Sequence, residues 1–95
     1  MTENIPRVLP ERCAVEIHLD RWPLPPLFRL LERLGDLPDD EMLSTFNVGI
    51  GMVLIVPPQH VARVERLLRR RRAAFFHIGE VVRGRPQVHY HGSWQ

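Results

Sequence analysis

Residues 41–58 decide the fold: Glu41-Met42-Leu43-Ser44-Thr45-Phe46-Asn47-Val48-Gly49-Ile50-Gly51-Met52-Val53-Leu54-Ile55-Val56-Pro57-Pro58. The stretch opens on a helix. Asp39, Asp40 and Glu41 follow Pro38, placing negative charge where a helix N-terminus is partially positive, and Met42, Leu43 and Phe46 supply an apolar side. Gly49 and Gly51 interrupt that pattern. Met52 to Val56 is then a continuous aliphatic run stopped by two prolines, the pattern of a central strand buried on both faces. Helix, glycine bend and interior strand are the expectation here.

Upstream, Pro6 and Pro10 each lack an amide donor and bias the preceding residue away from helix, so residues 1–12 read as extended chain with a short strand near Arg7 to Leu9. Cys13, Val15, Ile17 and Leu19 alternate with Glu16, His18 and Asp20, which predicts a half-buried strand. After Pro23, Pro25 and Pro26, Leu27, Leu30, Leu31 and Leu34 fall at helical spacing, and Gly35 is placed to end that helix in a left-handed cap.

Downstream of Pro58, Val61, Val64, Leu67 and Leu68 carry helical spacing, with the arginines on the wet side, which predicts a third helix over about 59–72. Phe75 to Val82 and Gln87 to His91 read as two strands, joined by Arg83-Gly84-Arg85-Pro86 at hairpin length. The last residues are expected to fray. The whole reads as α+β, a small mixed sheet packed with about three helices, without an internal repeat.

With 95 residues the chain has room for one domain, which buries roughly 60 to 70% of its unfolded surface. Hydrophobic residues at 44% and charged residues at 25% are an ordinary globular balance, which excludes fibrous and disordered classes. All 13 cationic side chains are arginine, and they are unevenly placed: residues 1–60 hold 5 against 9 acids, residues 61–95 hold 8 against 2. A lone Cys13 excludes an internal disulfide framework. No apolar run approaches the roughly 20 residues that cross a bilayer, and nothing resembles a signal peptide, so a cytoplasmic location and no membrane partner are expected.

The two glycines and Asn47 let backbone amides approach an anion closely, which makes the junction a candidate phosphate-facing turn. Composition alone favours the simpler reading, that a glycine pair here satisfies turn geometry. The run Glu41 to Met52 resembles the "EEMLRTFNMGIGM" signature of phosphoribosylformylglycinamidine cyclo-ligases (AIR synthetases), and three further segments agree in order. Glu3-Asn4-Ile5-Pro6-Arg7-Val8-Leu9-Pro10 is similar to the family's "ENIPRVLP", Trp22 to Phe28 to its "WPxPPLF", and Ile78-Gly79-Glu80-Val81 to its "IGEV". The resemblance covers Thr2 to about Tyr90. Arg72 stands where the family often has a helix-ending glycine, and Phe75 where it often has a smaller residue.

The resemblance implies an α/β-layered partial C-terminal domain over residues 1–95, with no counterpart here of the family's ATP-binding N-terminal domain or of the "HITGGG" stretch before "ENIPR". It implies a purine-biosynthesis reaction in which ATP, with Mg²⁺, activates the formyl oxygen of formylglycinamidine ribonucleotide and an amidine nitrogen closes the ring to aminoimidazole ribonucleotide. The nucleotide substrate is expected to be held through the absent domain, with neither ATP nor Mg²⁺ bound tightly by this chain, which is expected to be inactive alone. Asn4, Arg7, Thr45, Asn47, Gly49 and Gly51 are the substrate or phosphate candidates by that resemblance; no catalytic residue is assigned. Arg7 has a structural ion pair as its alternative role, and Asn47 an Asx contact within its own turn.

Other side chains invite chemistry less strongly. Only His89 and His91 among the five histidines are closely spaced, and no cysteine or carboxylate neighbour is expected to complete a closed zinc site, so a solvent-facing pair and no metal are expected. Cys13 alternates into the core and is expected to be inert. Three functional classes follow: an inactive piece of the ligase, a self-associating or partner-binding module, and, less favoured, an arginine-rich nucleic-acid binder whose affinity would fall with salt.

Overall fold

In the computed structural model, which describes residues 1–94, the alternation at Cys13 becomes strand β1 (Cys13–His18). It is the middle strand of three, in the order β2-β1-β3. β2 (Gly79–Arg83) pairs with it antiparallel, with Cys13 opposite Arg83 and Ile17 opposite Gly79. β3 (Val88–His91) pairs with it in parallel, with Val15 opposite Val88 and His18 opposite His91. The α+β class expected from the sequence therefore holds. The hairpin does not: β2 and β3 flank β1 instead of pairing with each other, and residues 84–87 pass around the start of β1. Two bonds seat that passage, Gly84 N–H to the Arg12 carbonyl at 3.0 Å and Val15 N–H to the Gln87 carbonyl at 3.0 Å.

Pairing parity divides the sheet into two faces. Val15 and Ile17 look toward the core with Val88 and Tyr90, while Glu16 and His18 share the opposite face with Glu80, His89 and His91. Cys13, expected in the core, is half-buried at the strand's start. On the core side Ile17, Met42, Leu43 and Val48 are fully enclosed, joined by Ile5, Trp22 and Leu24. Burying side chains of this size stabilises by about 1.5–3 kcal/mol each, which makes this cluster the main holding force of the molecule.

Three helices surround it. α1 (Pro26–Gly35) begins at the expected proline and α2 (Asp39–Thr45) carries its three acids in the first turn. α3 (Val61–Arg70) follows a 3₁₀ turn at Pro58–His60. Asp36, not Gly35, takes the left-handed cap position of α1, with φ 49°, and its N–H bonds the Glu32 carbonyl. Gly35 serves packing instead, because Leu37 folds back until its Cγ lies 3.0 Å from where a Cβ would stand.

Four further expectations give way. Arg7 to Leu9 is not a strand: Pro6–Val8 forms a 3₁₀ turn, since the φ that proline fixes suits the first position of a helical turn and Leu9 N–H closes it on the Pro6 carbonyl at 3.2 Å. Met52 to Val56 is neither strand nor core, with Met52 81% and Leu54 58% exposed. An aliphatic run states a demand for burial but supplies no partner, and both edges of β1 are already taken by β2 and β3.

The helix faces behave alike: Leu27, Leu30 and Leu34 on α1 are exposed, and no residue of α3 is buried. The chain end is the fourth correction, because Trp94 sets its ring edge-on to Trp22 at 6.2 Å and packs against the core, while Gln95 lies outside the described residues. No helix among the described residues is long and apolar enough to cross a membrane.

Candidate functional site

The junction after α2 is a four-residue turn. Phe46 leaves the helix with its N–H on the Met42 carbonyl at 2.9 Å, and Ile50 N–H then returns to the Asn47 carbonyl at 2.9 Å. Between them Val48 and Gly49 have φ 50° and 96°, the pair of left-handed values that defines a type I′ turn. Asn47 holds the turn from its side chain, its Oδ1 accepting the Gly49 N–H at 3.0 Å.

Glycine is required at position 49 on two grounds: the positive φ, and Pro25, whose Cγ and Cδ lie 2.8 Å from where a Cβ would be. Valine at position 48 is the costly choice, since a β-branched residue in the left-handed region carries strain of order 1–3 kcal/mol. Its side chain is completely buried beside Met42 and Leu43, a gain of similar size that offsets the strain. The indole N–H of Trp22 donates to its carbonyl at 3.0 Å, in buried surroundings.

The turn is thus internally satisfied. Two of the amides that made it attractive as a phosphate cradle, those of Gly49 and Ile50, are already donated to Asn47. The Asx role of Asn47 is realised, and its side-chain NH₂ remains exposed for another partner.

Thr45 sits exposed at the end of α2 and Gly51 in open space, with nothing within 4 Å of where its Cβ would be. Asn4 and Arg7 lie exposed on the N-terminal segment, which Ile5 pins into the same core cluster as Met42, Leu43 and Val48. Among the described residues, neither makes a side-chain bond to the junction, and Arg7 forms no ion pair. The terminal amine of Met1 donates to the Leu43 carbonyl at 3.3 Å, and the Thr2 hydroxyl meets the Tyr90 hydroxyl at 2.7 Å. The Tyr90 phenol is pushed above its ordinary pKa by burial, and the bond to Thr2 opposes that shift.

Sequence reasoning missed a second constellation, on the opposite face of the sheet. His18 Nε2 meets Glu80 Oε1 at 3.0 Å, His91 Nε2 pairs with Glu16, and the two imidazoles stack with centroids 5.3 Å apart. The carboxylates that the sequence did not place beside these histidines come from neighbouring strands. Once β1 is known to lie between β2 and β3, period-2 alternation alone brings them together. The bond from His18 holds the Glu80 carboxyl below its ordinary pKa; desolvation opposes that shift, and the charges of His18, Arg21 and His77 add to it.

The four side chains form two separate pairs, and among the described residues no group of three or more His, Cys, Asp or Glu is arranged to hold a metal ion. A cleft at Asp20, Arg21, Trp22 and Pro23 measures about 180 Å³, and a shallow hollow of about 430 Å³ on α3 lies outside the junction.

A three-stranded mixed sheet, a helix with three acids in its first turn and a glycine turn keyed into the core define the class. Residues 1–91 match the family model described as AIR synthase related protein, C-terminal domain, and the chain belongs to that family. Curated relatives carry the name phosphoribosylformylglycinamidine cyclo-ligase. The protein of Alkaliphilus metalliredigens (strain QYMF) is 45% identical over 86 residues, covering 90% of this chain and 25% of its own length. The chloroplastic protein of Arabidopsis thaliana is 43% identical over 83 residues, covering 87% and 21%. That of Geobacter sulfurreducens is 46% identical over 86 residues, covering 90% and 25%. The chain spans about a quarter of the length of the curated relatives it matches.

Proposed function

We propose that the chain is the C-terminal module of a phosphoribosylformylglycinamidine cyclo-ligase, acting in the purine-biosynthesis step that closes formylglycinamidine ribonucleotide to aminoimidazole ribonucleotide with ATP and Mg²⁺. The observation that carries the reading is the family match over residues 1–91, together with 45% and 46% identity over 86 residues to proteins of that name. The junction supports it. Its turn is built at the expense of strain at Val48 while the Asn47 amide group, Thr45 and the open backbone at Gly51 face outward. In this reading these groups, with Asn4 and Arg7, orient and screen the substrate, and no catalytic step is assigned to them. ATP and Mg²⁺ belong to the remaining three quarters of such an enzyme, and the 95-residue chain alone does not turn over.

The test is ring closure by the purified chain, alone and mixed with a polypeptide carrying the upstream part of the Geobacter relative. The expected result is no product alone and ATP-dependent product in the mixture; product from the chain alone would overturn the second half of the proposal. Asn47→Asp keeps the Oδ acceptor that closes the turn and removes the amide donor. A folded Asn47→Asp chain that restores full activity in the mixture would remove Asn47 from the substrate set.

A further inference from the structure

The two halves of the chain carry opposite charge and neither neutralises the other. Residues 1–60 hold 5 Arg against 9 acids and residues 61–95 hold 8 against 2, yet the ion pairs among the described residues involve only Glu16, His18, Arg21, Glu80 and His91. Asp36, Asp39, Asp40 and Glu41 are all exposed at the corner between α1 and α2. Leu34, two residues before that corner, is 77% exposed. On α3, Arg63, Arg66 and Arg70 are exposed around Val64 and Leu67, and these five residues line the hollow of about 430 Å³. One surface is thus an exposed leucine beside four carboxylates, and the other an apolar strip framed by three guanidinium groups.

We propose that these surfaces are the two sides of one interface, and that a second copy of this chain docks its α1–α2 acidic corner onto the Arg63/Arg66/Arg70 face of α3. The occupant is fixed by complementarity of sign: among the described residues each copy offers an acidic helix corner and a basic helix face without ion pairs, each beside exposed leucine. Guanidinium groups suit this role because they pair bidentately with carboxylates while their stems cover apolar surface. Contact between unlike surfaces closes into a ring or dimer if its rotation allows and otherwise propagates. Nucleic acid fits the arginines but leaves Leu67 and the acidic corner without a role. The inference goes beyond the proposed enzymatic role and stands without it.

The experiment is sedimentation and light scattering of the full chain at about 100 μM, between roughly 20 mM and 0.3 M salt. The expected result is association at low salt that weakens about tenfold or more across that range. Arg63→Glu/Arg66→Glu/Arg70→Glu and Asp39→Lys/Asp40→Lys/Glu41→Lys should each be monomeric, with helix content confirmed by circular dichroism. Mixed together, they should associate again, because the swapped charges complement one another. A monomeric parent, or a parent whose association both variants retain, overturns the proposal. So does a mixture that stays monomeric, or a parent that binds short duplex DNA through these arginines without associating. If either triple variant loses its helices, the single substitutions Arg66→Glu and Asp40→Lys carry the same mixing test.

Discussion

The indole nitrogen of Trp22 donates to the carbonyl of Val48 across 3.0 Å of buried space, tying the chain just beyond β1 to the turn that follows α2. Trp22→Phe keeps much of the ring's burial but leaves that carbonyl unpaired, at a cost of about 1–3 kcal/mol. Urea denaturation should show a lower midpoint, and an unchanged midpoint would mean that the bond does not form.

Arg72 has φ 54°, the left-handed conformation that closes α3 and that glycine adopts without a Cβ penalty. Replacing it with glycine should stabilise the chain by up to about 1 kcal/mol, because relief of the Cβ clash outweighs the added freedom of the unfolded chain. Thermal melting checks this, with Arg72→Ala as the control expected to bring no gain.

Gly79 and Gly51 should behave oppositely. A Cβ on Gly79 would lie 1.9 Å from the Glu16 carbonyl oxygen, so Gly79→Ala must push β2 away from β1, at about 1–3 kcal/mol. At Gly51 the space is open, and Gly51→Ala should leave the melting temperature almost unchanged. A stable Gly51→Ala chain that fails to support ring closure in the reconstituted mixture would locate close substrate approach at that backbone.

Glu80 titrates low because His18 hydrogen-bonds it. A carboxylate whose folded pKa is depressed contributes stability that is present above its ordinary pKa of about 4.3 and is lost as pH falls through the lowered value. Its side chain is half exposed, so the contribution is screened to under about 1 kcal/mol. Glu80→Gln should therefore flatten the acid limb of a stability-versus-pH curve and leave its neutral region little changed. An acid limb identical to that of the parent would show that the pair does not persist in solution.

What the sequence made legible was local. The proline start of α1, the acidic first turn of α2, the spacing of α3 and the alternation of β1 each state their own conformation, and each is found. Residues 52–56 and the connection after Arg83 depend on partners distant in the chain. Aliphatic side chains at Met52 to Val56 cannot say which edge would receive them, and a four-residue link is compatible with a hairpin until β1 is known to lie between its ends. The junction shows the same limit. Its glycines announced a bend, but that Asn47 accepts the Gly49 amide and that the core holds Val48 in strain depend on the folded chain. The histidine and carboxylate face was invisible because Glu16 and His91 are neighbours across strands and 75 residues apart along the chain.

The order of strands also governs when this sheet can exist. During translation Cys13–His18 precedes both its sheet neighbours, the first beginning at Gly79 and the second at Val88. At about 5–20 residues per second the ribosome keeps the central strand waiting for several seconds with both edges bare. Through that interval the nascent chain is open to mispairing or to capture by a chaperone, and release of a transcript cut short before Val88 would yield a polypeptide without its three-stranded sheet.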